Sequence, residues 1–168
     1  MTLSVEIERK FLIRKMPKEK LVHIHKIRQG YISREGNNSV RVREKDNQFI
    51  LSIKTQLQSG VRNELEYNIS KGEGEVLFAS LSHDAIIKSR EVYEINGLIW
   101  EIDIFEGANK GLIVAEIELD NTDQVIDIPN WLGPEVTELS KFYNANLAGR
   151  PFEKWRVSYD ALIERLEG

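Results

Sequence analysis

Glu6, Glu8 and Lys10 stand two apart in the run Val-Glu-Ile-Glu-Arg-Lys-Phe-Leu from Val5 to Leu12. A strand sends alternate side chains to opposite faces. The run therefore predicts two carboxylates and an ammonium in one row, with Val5, Ile7 and Phe11 on the other face. Same-face neighbours in a strand lie roughly 7 Å apart. Such a row has the chemistry to hold a divalent cation beside a phosphate, because carboxylate oxygens suit hard cations and an ammonium suits an anion.

Positioning that row requires partners, and the same alternation recurs along the chain. Strands are predicted over 5–12, 39–45, 48–55, 61–69, 85–95, 98–105 and 112–119, with another following a connection within 23–33, about eight in all. Turn residues punctuate them at Glu35-Gly36-Asn37-Asn38, Asp46-Asn47, Gln58-Ser59-Gly60, Asn96-Gly97 and Glu106-Gly107-Ala108-Asn109. A short helix is predicted over 18–22 behind Pro17. A second is predicted over 71–81, where Ser70 and Glu73 have capping-box spacing. Helical segments follow over 141–147 and 153–166. The latter carries an apolar stripe of Trp155, Tyr159, Leu162, Ile163 and Leu166, suited to closing the end of a barrel or to a homodimer contact.

At 168 residues, one domain spanning 1–168 is expected. Charged residues make up 30% of the chain and nearly cancel, for a net charge of −4. That balance argues against a nucleic-acid partner. The absence of cysteine excludes disulfides and thiolate metal sites. No basic-then-apolar leader and no apolar run of membrane length are present, so a soluble, cytoplasmic protein without a membrane partner is expected.

Most strands pair one apolar face with one charged face. The charged faces read Glu6-Glu8-Lys10, Arg41-Arg43-Lys45, Arg62-Glu64-Glu66, Lys88-Arg90, Glu101-Asp103 and Glu116-Glu118. Periodicity alone leaves two readings open. Either these faces meet solvent, or the sheet closes and they line a tunnel while helices jacket the apolar exterior. In a tunnel the opposite charges would largely neutralise one another, since unpaired buried charge is expensive.

The run Glu6-Ile7-Glu8-Arg9-Lys10-Phe11-Leu12 resembles the ExExK signature of the CYTH superfamily, the triphosphate tunnel metalloenzymes. Further landmarks follow in that family's order. They include Val40-Arg41-Val42-Arg43, Ile53-Lys54, Arg62-Asn63-Glu64-Leu65-Glu66-Tyr67, Lys88-Ser89-Arg90, Trp100-Glu101-Ile102-Asp103, Ala115-Glu116-Ile117-Glu118-Leu119 and Lys141-Phe142-Tyr143-Asn144. The chain departs from the usual pattern at Glu91-Val92, where an aromatic is common, and at Lys141, where arginine is commoner and reaches phosphate with two donors.

The resemblance implies an α+β fold, an eight-stranded antiparallel β-barrel with a charged interior and helices packed outside. It also implies Mg²⁺ or Mn²⁺ and a small-molecule triphosphate substrate, with small bacterial inorganic tripolyphosphatases the most similar branch. Phosphate ligands would be Lys10, Arg41, Arg43, Lys54, Lys88 and Arg90, with Arg62 and Lys141. Metal ligands would be Glu6, Glu8, Asp103, Glu116 and Glu118. Glu64 and Glu66 would orient the attacking water or fix the basic side chains. Rival functions are a class IV-type adenylate cyclase, a thiamine or nucleoside triphosphatase, and a non-catalytic polyphosphate-binding module. His23 and His25, without a further ligand partner in the sequence, read as solvated or capping residues and His83 as a loop residue.

Overall fold

The computed structural model describes residues 2–168. The first strand, β1 (Thr2–Ile13), closes the sheet by pairing antiparallel with two different strands. Its first half pairs with β5 (Val61–Ile69), setting Glu6 opposite Arg62. Its second half pairs with β8 (Ile113–Glu118), setting Glu8 opposite Glu118 and Lys10 opposite Glu116. Between them run β2 (Leu21–Glu35), β3 (Asn38–Lys45), β4 (Gln48–Gln58), β6 (Ile86–Ile95) and β7 (Leu98–Phe105). The order is β5-β4-β3-β2-β6-β7-β8-β1, with β1 returning to β5. A ninth strand, β9 (Leu132–Glu135), pairs beside Phe11 and Ile13.

Directly opposed residues of neighbouring strands share a face. The register therefore carries one interior around the barrel, through Glu64 opposite Lys54, Arg41 opposite Ser52, Arg90 opposite Asp103 and Glu101 opposite Glu116. The charged faces line a tunnel.

The apolar exterior of β1, β7 and β8 is covered chiefly by an irregular segment. Phe11, Trp100, Ile102, Ala115 and Ile117 pack with Ile126, Trp131 and Leu132, and the Trp100 and Trp131 rings meet edge-on at 5.2 Å. The helix expected over 18–22 does not form. Five residues cannot offset the cost of helix nucleation, and Leu21 and Val22 instead begin β2. Helix α1 (Lys71–Phe78) starts at the expected Ser70–Glu73 capping box and ends three residues earlier than expected. A Cβ on its buried Gly74 would lie 2.1 Å from the Phe49 ring, so glycine permits the helix to lie on β4.

At one end the tunnel wall turns apolar. Leu12, Ile86, Phe105 and Val114 continue the interior faces of their strands and pack with Phe142, Leu147, Phe152 and Leu162. The chain's last segment thus plugs that end, through α2 (Asn144–Gly149) and α3 (Tyr159–Glu167). The helix expected over 153–166 is broken by a 3₁₀ turn at Phe152–Trp155 and by Arg156 at φ 53°, and it restarts behind the Ser158 cap. Tyr159 fastens α3 to the barrel: its hydroxyl accepts the Ile13 N–H at 2.8 Å and donates to the Ile113 carbonyl at 2.9 Å. The expected apolar stripe packs into this plug.

Candidate active site

The tunnel encloses a cavity of about 290 Å³, at the small end for ligand sites and suited to a compact polar molecule. Alternation along β1 delivers Glu6, Glu8 and Lys10 to it, and alternation along the other strands delivers Arg41, Arg43, Lys54, Arg62, Glu64, Glu66, Arg90, Glu116 and Glu118.

Most of these charges are paired. Lys10 Nζ lies 2.5 Å from Glu116 and 3.1 Å from Glu8. Burial pulls its pKa down, but the two carboxylates outweigh burial and hold it above the ordinary lysine value. Arg62 reaches Glu8 at 2.5 Å and Glu6 at 3.4 Å, and Lys54 reaches Glu6 at 2.6 Å and Glu64 at 3.6 Å. Burial raises the Glu116 carboxyl, yet Lys10 and Arg90 hold it well below the usual range.

Two places remain unbalanced, with opposite sign. On β3, Arg43 has no carboxylate partner among the described residues, and its Nε donates only to Gln29 Oε1 at 3.1 Å. Burial, then the neighbouring Arg41 and Arg90, lower its pKa to about 10. Arg41 meets Ser52 at 3.1 Å and Glu64 at 3.4 Å, but its buried Nε has no hydrogen-bond partner. Buried donors without acceptors are rare, so these arginines form a place short of an anion. On β8, Glu118 has no cationic partner among the described residues. Burial, then Glu6, Glu64, Glu8 and Glu101, raise its pKa. That wall is short of a cation, and its donors are all oxygens, which fits a hard divalent ion.

Three residues expected at the site stand elsewhere. Asp103, expected among the metal ligands, faces the barrel interior but is fully buried and absent from the cavity lining. Its Oδ1 accepts from Arg90 Nε at 2.7 Å, and its Oδ2 accepts from Arg90 Nη2 at 2.8 Å and Lys88 Nζ at 2.6 Å, so both oxygens are engaged by cations. Lys88, expected on phosphate, is 1% exposed and also donates to Asn144 Oδ1 at 3.0 Å. Burial pulls it to about 7 against the attraction of Asp103. Lys141 lies outside the tunnel lining because the short 3₁₀ turn turns its ammonium toward the Trp155 ring, 4.8 Å from the centroid.

Other lining residues carry no assigned role in the sequence pattern: Tyr31, Arg34, Lys45, Gln56, Glu101, Tyr143 and Asn144. Strand parity already puts Lys45 and Glu101 on the charged faces, and it could have found Gln56, which continues Lys54. Tyr143 and Asn144 come from the plug and carry no periodic signal.

Comparison with known proteins agrees with this geometry. Residues 4–147 match the CYTH domain. An inorganic triphosphatase of Acetivibrio thermocellus is 36% identical over 155 residues, covering 92% of this chain and 99% of the relative. An inorganic triphosphatase of Nitrosomonas europaea is 31% identical over 148 residues, covering 85% of this chain and 96% of the relative. The crystal structure of the inorganic triphosphatase NE1496 superposes with a TM-score of 0.65 at 30% identity, covering 85% of this chain and 93% of that one. By this match and these identities, the chain belongs to the CYTH family.

Proposed function

We propose that this protein is a divalent-metal-dependent triphosphatase that hydrolyses the terminal phosphate of inorganic tripolyphosphate inside the tunnel. One observation carries the reading: arginines short of an anion and carboxylates short of a cation line the same small cavity. A polyanion accompanied by a divalent cation satisfies both. The names of the relatives support the choice of reaction.

Phosphoryl transfer needs charge held and spread more than it needs covalent chemistry from the protein. Arg41 and Arg43 take phosphoryl oxygens with their planar forks. Lys10, Lys54, Arg62 and Arg90 are preset by carboxylates and share the remaining charge. Glu118, with Glu6, Glu8 and Glu116, would hold Mg²⁺ or Mn²⁺. When bound, such a cation supplies charge neutralisation at phosphoryl oxygens and acidifies a coordinated water. Water attacks the terminal phosphorus and pyrophosphate leaves. Glu64 is engaged by Arg41 and Lys54, whereas Glu66 lines the cavity with no ion-pair partner among the described residues. Glu66 is therefore the carboxylate available to take the proton of that water.

The test is a panel of tripolyphosphate, ATP, thiamine triphosphate and pyrophosphate with Mg²⁺, Mn²⁺ or EDTA, following phosphate and cyclic AMP. The proposal expects metal-dependent phosphate release that is fastest from tripolyphosphate. Cyclic AMP without free phosphate would move the protein to the cyclase branch.

A further inference from the structure

Outside the cavity lining, His23, His25 and Asp46 meet where β2 begins and β3 turns into β4, with His25 opposite the cavity-lining Arg90 in the β2–β6 ladder. None of the three lines the cavity. His23 and His25 are two apart on β2 and share a face, with ring centroids 4.3 Å apart and planes inclined at 54°. Asp46, the carboxylate that the sequence pattern does not bring to them, arrives through the β3–β4 turn at φ 50°. Two bonds to Lys26 fix it: its Oδ1 accepts the Lys26 N–H at 2.9 Å, and its own N–H donates to the Lys26 carbonyl at 3.1 Å. Its Oδ2 is left facing the imidazoles, hydrogen-bonded to His25 Nδ1 and 3.8 Å from His23 Nε2. One ligand atom from each residue lies within 4.8 Å of the other two.

A His–Asp hydrogen bond alone would explain His25 and Asp46. It leaves the second imidazole beside the first with a ring contact and no hydrogen bond of its own among the described residues. Two imidazoles and a carboxylate are the ligand set of borderline transition cations, whereas the tunnel's acidic wall offers oxygens only. The turn and Lys26 already aim the carboxylate at the imidazoles, so binding a cation exchanges the His25–Asp46 hydrogen bond for a metal ligand from each. The His23 side chain is 57% exposed and that of Asp46 41%, which leaves solvent-facing coordination positions. We propose that His23, His25 and Asp46 bind a borderline divalent cation of the Zn²⁺ or Ni²⁺ class, tying β2 to the β3–β4 turn at a second, chemically distinct metal site.

The test titrates the full chain with Zn²⁺ in excess Mg²⁺, which occupies all-oxygen sites, and follows the imidazole nitrogens by NMR. The chain has three histidines, so His83 serves as an internal control. The proposal expects His23 and His25 to shift together and saturate at one equivalent while His83 stays put. It also expects Zn²⁺ to raise the Tm through binding to the folded state. His23→Ala, a change at an exposed residue, should weaken Zn²⁺ by at least about tenfold and leave Mg²⁺-supported tripolyphosphate hydrolysis unchanged. Unshifted His23 and His25 signals at one equivalent, or a Zn²⁺-induced Tm rise that persists in the H23A/H25A double variant, would overturn it.

Discussion

Asp103→Asn separates a load-carrying buried carboxylate from a metal ligand. Asp103 is fully buried and accepts three charge-assisted bonds, two from Arg90 and one from Lys88. Removing one partner of a buried ion pair typically costs about 3–5 kcal/mol, because the other charge is left uncompensated. Two features of the site hold the loss to the lower end. Lys88 is already pulled to about 7 by burial and can shed its proton. Arg90 keeps Glu116 at 3.1 Å and Glu101 at 3.2 Å. The expected loss is about 3 kcal/mol, or a fall in Tm of about 6–12 °C for a chain of this size, measured by thermal and urea denaturation in EDTA. The midpoint for divalent-cation activation should move little, while the KM for tripolyphosphate should rise because Arg90 loses its anchor. A metal-free stability within about 1 kcal/mol of the parent, joined to a metal midpoint shifted tenfold or more, would refute this reasoning and return Asp103 to the metal ligands.

Glu118→Gln should lower turnover by about a hundredfold or more with an unchanged circular dichroism spectrum, measured as phosphate release across a metal titration. The same variant gives a pH signature. The folded-state pKa of Glu118 is raised above 4.5, so in the parent the unfolded chain ionises first and this group's contribution declines as pH rises from the unfolded value through the folded one. Metal-free E118Q should therefore gain Tm relative to the parent over that rise, and added Mg²⁺ should restore the parent's advantage at neutral pH. Gly74→Ala should destabilise by about 1–3 kcal/mol despite alanine's better helix propensity, because the new methyl meets Phe49; chemical denaturation checks the sign.

The interior of the barrel was legible because alternation is rigid: once Glu6, Glu8 and Lys10 share a face, so do Arg41 and Arg43, and Glu116 and Glu118. Closure was not readable from alternation. It rests on β1 pairing with β5 through its first half and with β8 through its second, and only the resemblance of the Glu6–Leu12 run anticipated it. Depth within the wall was also hidden. Glu101 and Asp103 occupy the same inward face, yet Glu101 reaches the cavity while Asp103 is buried by its bonds to Arg90 and Lys88. Alternation assigns a face, and only packing decides which carboxylate is covered. Lys141 illustrates a third limit, since a short 3₁₀ turn aims a side chain by its exact dihedral angles rather than by spacing. The same holds for Asp46, which reaches His25 through a left-handed turn that the pattern places without orienting.

The most direct test follows tripolyphosphate by phosphorus NMR with the intact protein, first in EDTA and then after adding Mg²⁺. A metal-dependent triphosphatase gives perturbed but persistent tripolyphosphate signals in EDTA, then orthophosphate and pyrophosphate in equal amounts once the cation is present. Tripolyphosphate that binds yet stays whole with Mg²⁺ and with Mn²⁺ would contradict the proposed activity, and would make the tunnel a polyphosphate-binding module.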